Sequence, residues 1–236
     1  MDRMVKALCF DIGNTRIRYG LFGNDELMEK GEGVPDPDLL KGVNYIAYTS
    51  VSSRNYEKVS RIFEQKRNVL HLSATTQNIL AINYTNPLTL GDDRVANALF
   101  LFFKFRNGLI IDAGTFITFD FVRDTIHYPL AIIPGIYLLK EIYRRGDNLK
   151  KFTPEIGRIP LPHSTGEAIA SGLYSLLRGS FREILSLLSE APDKIILTGG
   201  DAYILKDIIF EAQVEEDATL WGIYFWLKNQ ISDFTL

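Results

Sequence analysis

The chain divides into short apolar runs, each ended by a charged residue, a glycine or a proline. Residues 5–10 are an apolar run closed by Asp11 and Gly13, which predicts a buried strand. Residues 15–22 alternate and predict a second strand, so the pair forms a hairpin turning at Gly13-Asn14. Gly23-Asn24-Asp25-Glu26 predicts another turn, and Pro35 and Pro37 mark a loop. Residues 45–50 read as a buried strand, 55–66 as a helix and 69–72 as a short strand. A loop then carries Tyr84, Asn86, Pro87 and Gly91-Asp92-Asp93-Arg94. It opens an apolar stretch, 95–105, that predicts a helix with acidic residues at its N-terminus, where the dipole favours them.

The opening pattern then returns. Residues 108–111 are a short apolar strand, Asp112-Ala113-Gly114-Thr115 is a turn, and 116–122 alternate as a second strand. Recurrence of a whole half-domain is a fold-level signal. It predicts two similar lobes, 1–106 and 107–236. The second continues with Pro134-Gly135 and a helix to about residue 145. A polar loop holding Pro154, Pro160 and Pro162 follows, then one or two helices over 165–188. Residues 194–197 predict a strand, Thr198-Gly199-Gly200 a tight turn into a helix, and 218–228 the closing helix. Strands alternating with helices argue α/β, with a mixed sheet flanked by helices in each lobe.

Composition narrows the function classes. The 236 residues are 46% hydrophobic and 23% charged, with net charge −3, so a packed core is expected and disorder is not. No basic footprint marks a nucleic-acid partner. No long apolar run follows Arg3 and Lys6, and none elsewhere is long enough to span a bilayer. The expected setting is cytoplasmic, with no membrane partner. The lone Cys9, within an apolar run, reads as a small buried hydrophobe.

Each repeated turn puts a carboxylate at the end of a buried strand, followed by glycine and then amide or hydroxyl residues. Backbone N–H groups of such a turn converge on one point and suit a phosphate oxygen. Asn14, Thr15 and Thr115 can add side-chain donors. Asp11 and Asp112 repel phosphate, so they suit a cation that neutralises it. Taken alone, each turn is equally an ordinary Asx-type hairpin; the recurrence favours the phosphate reading. Neither a P-loop nor a G-x-G-x-x-G fingerprint is present. In Gly91-Asp92-Asp93-Arg94, an aspartate beside an arginine supplies a base and a positive charge, which phosphorylation of an alcohol needs. The same segment alone equally fits a salt-bridged helix start.

Together these segments resemble the type III pantothenate kinase family. Asp11-Ile12-Gly13-Asn14-Thr15 is similar to its first phosphate motif and Asp112-Ala113-Gly114-Thr115 to its second. Tyr84, Pro87 and Gly91-Asp92-Asp93-Arg94 are similar to its acceptor motif. Pro134-Gly135, Thr165 with Ser171-Gly172, and Thr198-Gly199-Gly200 fall in the family's order. The resemblance implies two actin-like (ribonuclease H-like) lobes with the active site in the cleft between them. It implies transfer of phosphate from magnesium–ATP to the hydroxyl of pantothenate, giving 4'-phosphopantothenate, the first step towards coenzyme A. By the same matching, Asp93 is the base. Asp11, Ile12, Gly13, Asn14, Thr15, Arg16, Ile17, Arg18 and Thr115 bind ATP. Tyr84, Gly91, Asp92, Asp93, Arg94 and Thr165 hold pantothenate. Asp112 binds a monovalent cation, potassium or ammonium, and the protein is a homodimer. Tyr137, Tyr174 and Phe181 are candidates for its seam, or ordinary core aromatics. One departure stands out: Pro129-Leu130 occupies the place of the family's usual glycine pair. Two other readings fit the turns: a kinase for another small hydroxyl or carboxyl acceptor, and a regulatory homologue with impaired turnover.

Overall fold

The computed structural model describes residues 5–153 and 155–231. Pro154, expected in a polar loop, lies outside the described residues, as do the extreme ends of the two expected lobes. In chain order the first elements are β1 (Lys6–Ile12), β2 (Ile17–Gly23), β3 (Glu26–Glu32), β4 (Tyr45–Ser50), α1 (Ser53–Glu64) and β5 (Val69–His71). Next come β6 (Ala81–Ile82), α2 (Asp92–Phe105), β7 (Gly108–Ala113), β8 (Phe116–Arg123) and β9 (Ile126–Pro134). The chain closes with α3 (Ile136–Glu141), α4 (Thr165–Ser186), β10 (Ile195–Thr198), α5 (Ala202–Lys206), β11 (Gln213–Val214) and α6 (Ala218–Gln230).

The strands form two sheets, in the orders β3-β2-β1-β4-β5 and β11-β10-β7-β8-β9-β6. Read from β9, the second repeats the first: an antiparallel hairpin heads each half, and the next strands add in the same order. β1 pairs antiparallel with β2 and parallel with β4. β7 pairs parallel with β10, and β10 with β11. The alternating α/β architecture expected from the sequence is the one observed.

Packing divides the chain into two compact units. One runs up to Gly108 and includes Asp120–Pro129 and the residues from Asp217 on; the other holds Leu109–Phe119 and Leu130–Glu216. In the first unit, Leu8, Phe10, Ile12, Ile46, Val59 and Phe63 form a core between the sheet and α1. Helices α2 and α6 cross so closely that a Cβ on Gly222 would meet the Ala96 carbonyl. Phe22 stacks on Tyr224 at 4.4 Å beside them. Cys9 is fully buried, which pushes its thiol up from the ordinary value. In the second unit, Ser164 caps α4, whose buried stripe runs through Ile169, Leu173, Leu177, Phe181 and Ile184. Phe181 is therefore a core aromatic, whereas Tyr137 is exposed.

Four strands escape the sequence pattern: β3, β9, and the two-residue β6 and β11. β3 is a charged, mostly exposed edge strand, so no alternation announces it. β9 contains Pro129, which argues against a strand. Its register with β6 covers only Ile126 and His127. Pro129 lies beyond that ladder, where a missing N–H costs little.

Candidate active site

The first turn sits at the end of β1. Gly13 N–H closes it by donating to Arg16 O at 2.9 Å, and Asn14, Thr15 and Arg16 are exposed. Ile12 and Ile17 pack into the core, so only their main chain can face a ligand. Asn55, on the first turn of α1, braces the turn from beneath: its Nδ2 donates to Gly13 O at 2.7 Å and Asn14 O at 3.1 Å. The cation beside Asp11 is a side chain. Arg18 Nη2 donates to Asp11 Oδ2 at 2.8 Å and to Thr219 Oγ1 at 3.3 Å, and that hydroxyl donates to Asn97 Oδ1 at 2.9 Å. Arg16 reaches the other way, to Glu32 at 3.1 Å.

Ser50 and Val51 join the tract from Tyr84 to Arg94 to the end of β1 within the same unit. Val51 N–H donates to Ile12 O at the end of β1, and Ser50 N–H to Asp92 Oδ2 at 3.3 Å. Ser50, Val51, His71, Thr75, Gly91 and Asp92 line part of a cavity of about 480 Å³. That volume is within the usual range for small-molecule sites, roughly 300–1,000 Å³. His71 Nε2 stands 2.7 Å from Asp92 Oδ2 at its wall. Asp93 turns its carboxylate back onto the helix start, where Oδ1 accepts the Arg94 N–H at 2.8 Å. A helix N-terminus favours a carboxylate in that place. Tyr84 is partly exposed ahead of the tract.

Arg94, expected to supply positive charge near the acceptor, is buried. Its side chain is 5% exposed, and Nε donates to both oxygens of Asp120 on β8, at 2.9 and 3.1 Å. Asp120 Oδ1 also lies 2.7 Å from His127 Nε2 on β9. Asp120, His127 and Asn55 were not among the expected site residues. Asp120 had a signal, a lone carboxylate inside the apolar alternation of 116–122; Asn55 and His127 had none.

In the second unit, Asp112 ends β7 as Asp11 ends β1. The two glycines of its surroundings fit closely. A Cβ on Gly199, whose φ is +88°, would meet Asp112 Oδ1 and the Ala113 carbonyl; one on Gly135 would meet the Gly114 and Thr115 carbonyls. Thr198-Gly199-Gly200 and Pro134-Gly135 thus pack on the Asp112-to-Thr115 turn, and Gly135 N–H donates to Thr115 O at 3.0 Å. The oxygens gathered there, one carboxylate and backbone carbonyls, are hard donors of the kind that hold an alkali cation. Among the described residues no group of three His, Cys, Asp or Glu forms a metal cluster. Thr165 is the exposed first residue of α4.

Comparison with known proteins gives the family and the fold. Residues 7–186 match the family profile of type III pantothenate kinase. A type III pantothenate kinase of Acinetobacter baylyi is 26% identical over 96% of this chain and 100% of its own length. One of Flavobacterium johnsoniae is 33% identical over 86% of this chain and 91% of its own. Among solved structures, a Campylobacter jejuni protein assigned to the Baf family of transcriptional activators superposes with a TM-score of 0.67. It shares 22% identity and covers 94% of this chain and 98% of its own. A ROK hexokinase of Thermus thermophilus gives 0.52 at 12% identity, over 96% of this chain and 100% of its own. These two likenesses speak to the fold alone.

Proposed function

The chain belongs to the type III pantothenate kinase family, and from that premise we propose that it phosphorylates pantothenate with ATP to 4'-phosphopantothenate, in coenzyme A biosynthesis. One observation carries the reading: Asp93 is held at the first turn of α2, beside the cavity walled by Gly91 and Asp92. A carboxylate so placed can accept the hydroxyl proton while the freed oxygen attacks the γ-phosphorus and ADP leaves. The protein's remaining task is positioning and charge stabilisation.

In this reading the turn from Asp11 to Thr15, with Arg16 and Arg18, serves the ATP phosphates, and Asn14 and Thr15 offer exposed donors. Ile12 and Ile17 contribute main-chain groups only. Arg18 acts while tied to Asp11, so it presents a fixed rather than a roaming charge. Tyr84, Gly91, Asp92 and Arg94 frame the acceptor, Arg94 from its buried place. In the second unit, Thr115 contacts ATP and Thr165 pantothenate. Asp112, with neighbouring carbonyls, would hold a monovalent cation, potassium or ammonium, which supplies fixed positive charge near phosphate; magnesium arrives with ATP. The family likeness also supports a cytoplasmic homodimer.

The test is mass-spectrometric detection of phosphopantothenate from purified protein, ATP, magnesium and potassium. Product that requires both pantothenate and ATP is expected. ATP turnover with another hydroxyl or carboxyl acceptor, and none with pantothenate, would overturn the acceptor assignment.

A further inference from the structure

Both ends of the tract from Tyr84 to Arg94 are fastened to one hairpin, β8–β9. At the start, Ala81 and Ile82 pair with Ile126 and His127, Asn83 N–H donates to His127 O at 2.9 Å, and Tyr84 N–H donates to Ile82 O at 3.0 Å. At the end, Arg94 Nε is bound by both oxygens of Asp120, and Asp120 Oδ1 contacts His127 Nε2. His127 therefore serves one end through its backbone and the other through its ring.

The ring contact is hard to explain by stability alone. The side chains of Asp120 and His127 are each 1% exposed. Buried ion pairs are often replaceable by apolar residues without loss of stability. His127 moreover leaves Nδ1 buried with no hydrogen-bond partner among the described residues, an arrangement that costs free energy. An ionised carboxylate only accepts, so the Nε2 position must carry the proton that faces Asp120. What the imidazole provides is that single N–H, and what the N–H fixes is the carboxylate gripping Arg94.

We propose that Asp120 and His127 are positioning residues for phosphoryl transfer: they lock the Arg94 side chain and, through it, the first turn of α2 that holds Asp93. The link is direct, because the Arg94 backbone N–H holds Asp93 Oδ1. The inference rests on the reading of Asp93 as the base.

The experiment compares three variants by steady-state kinetics, with circular dichroism to give the folded fraction. Asp93→Asn is the reference and loses most turnover. Glutamine can place an amide N–H at the Nε2 position and asparagine cannot. His127→Gln should keep kcat within about threefold, while His127→Asn lowers it about tenfold with KM for ATP within about twofold. Asp120→Asn should lower kcat in the same way. A general folding defect would instead lower the folded fraction or weaken ATP binding, and would overturn the positioning role. So would full turnover by His127→Asn, or equal losses in the glutamine and asparagine variants, provided Asp93→Asn is inactive. Full turnover by Asp93→Asn would overturn the Asp93 assignment and this proposal with it.

Discussion

Gly91 leaves the space that the Asp93 carboxylate fills: a Cβ on Gly91 would stand 2.5 Å from Asp93 Oδ1. The next nearest atom, Val51 Cγ1, is at an ordinary 3.5 Å. Gly91 has φ −60° and ψ 136°, a conformation open to any residue. Backbone freedom is therefore not what glycine supplies here; it supplies room for the carboxylate.

Gly91→Ala should consequently leave the fold nearly intact and displace the carboxylate. Unfolding free energy is expected to change by no more than about 1 kcal/mol, since alanine also restricts the unfolded chain. Displacement of the base by a fraction of its contact distance should lower kcat roughly 100-fold. Urea unfolding beside steady-state kinetics checks both halves. An active Gly91→Ala would show that Asp93 need not sit where the structure holds it.

Asn55 offers a second separation of fold from function. Its two hydrogen bonds to Gly13 O and Asn14 O set the angle of the exposed turn. Asn55→Ala should cost about 1–2 kcal/mol of stability, the usual effect of removing a buried hydrogen-bonding amide. In the proposed reading it also raises KM for ATP about tenfold while KM for pantothenate stays put. An unchanged KM for ATP would mean that the turn holds its shape unaided.

The two turns were legible because glycine and carboxylate residues at the end of apolar runs are local signals, and their repetition is visible without any structure. The tract's helix was legible for the same reason, with Asp92 and Asp93 at its start. Asp120 and His127 were not, because their meaning depends on a partner, Arg94, that is distant in sequence and meets them only when β8 and β9 enter the sheet. Arg94 was expected to hold pantothenate through the family resemblance, and its burial comes from that same long-range pairing. Gly199 was legible only as part of a tight turn into a helix; that its backbone packs against Asp112, far back in the chain, was not.

A pH dependence follows from Glu211 in the second unit. Arg178 donates to both its oxygens, at 3.0 and 3.1 Å, and holds the carboxylate down to about 2 from its ordinary 4.5. A lowered folded value means stability that is fully present above the unfolded value and is lost as pH falls from there towards 2. The Glu211 side chain is 52% exposed, so solvent screens the pair. Glu211→Gln should cost about 0.5 kcal/mol at neutral pH. The gap to wild type should close near pH 2, where protonated glutamate resembles glutamine, and narrow in high salt. A gap that persists in acid would assign the effect to packing against Arg178 rather than charge.

Asp112 gives the last prediction, and it has a readout that does not depend on turnover. Gly199 and Gly135 allow two loop segments to close on the turn, so that carboxylate and carbonyl oxygens share a small region. Such a set binds an alkali cation through charge and oxygen number, and cation size decides among ions. A ligand that binds only the folded state raises the melting temperature by mass action. Potassium or ammonium chloride should therefore raise it above sodium chloride at equal ionic strength, which holds nonspecific screening constant. Asp112→Asn keeps the shape of the side chain and removes its charge, so the difference between salts should vanish in that variant. Kinase activity should follow the same order of salts in the wild type and show none in Asp112→Asn. Identical melting curves for the wild type in all three salts would remove the monovalent site from the proposed function and leave Asp112 as a packing partner of Gly199.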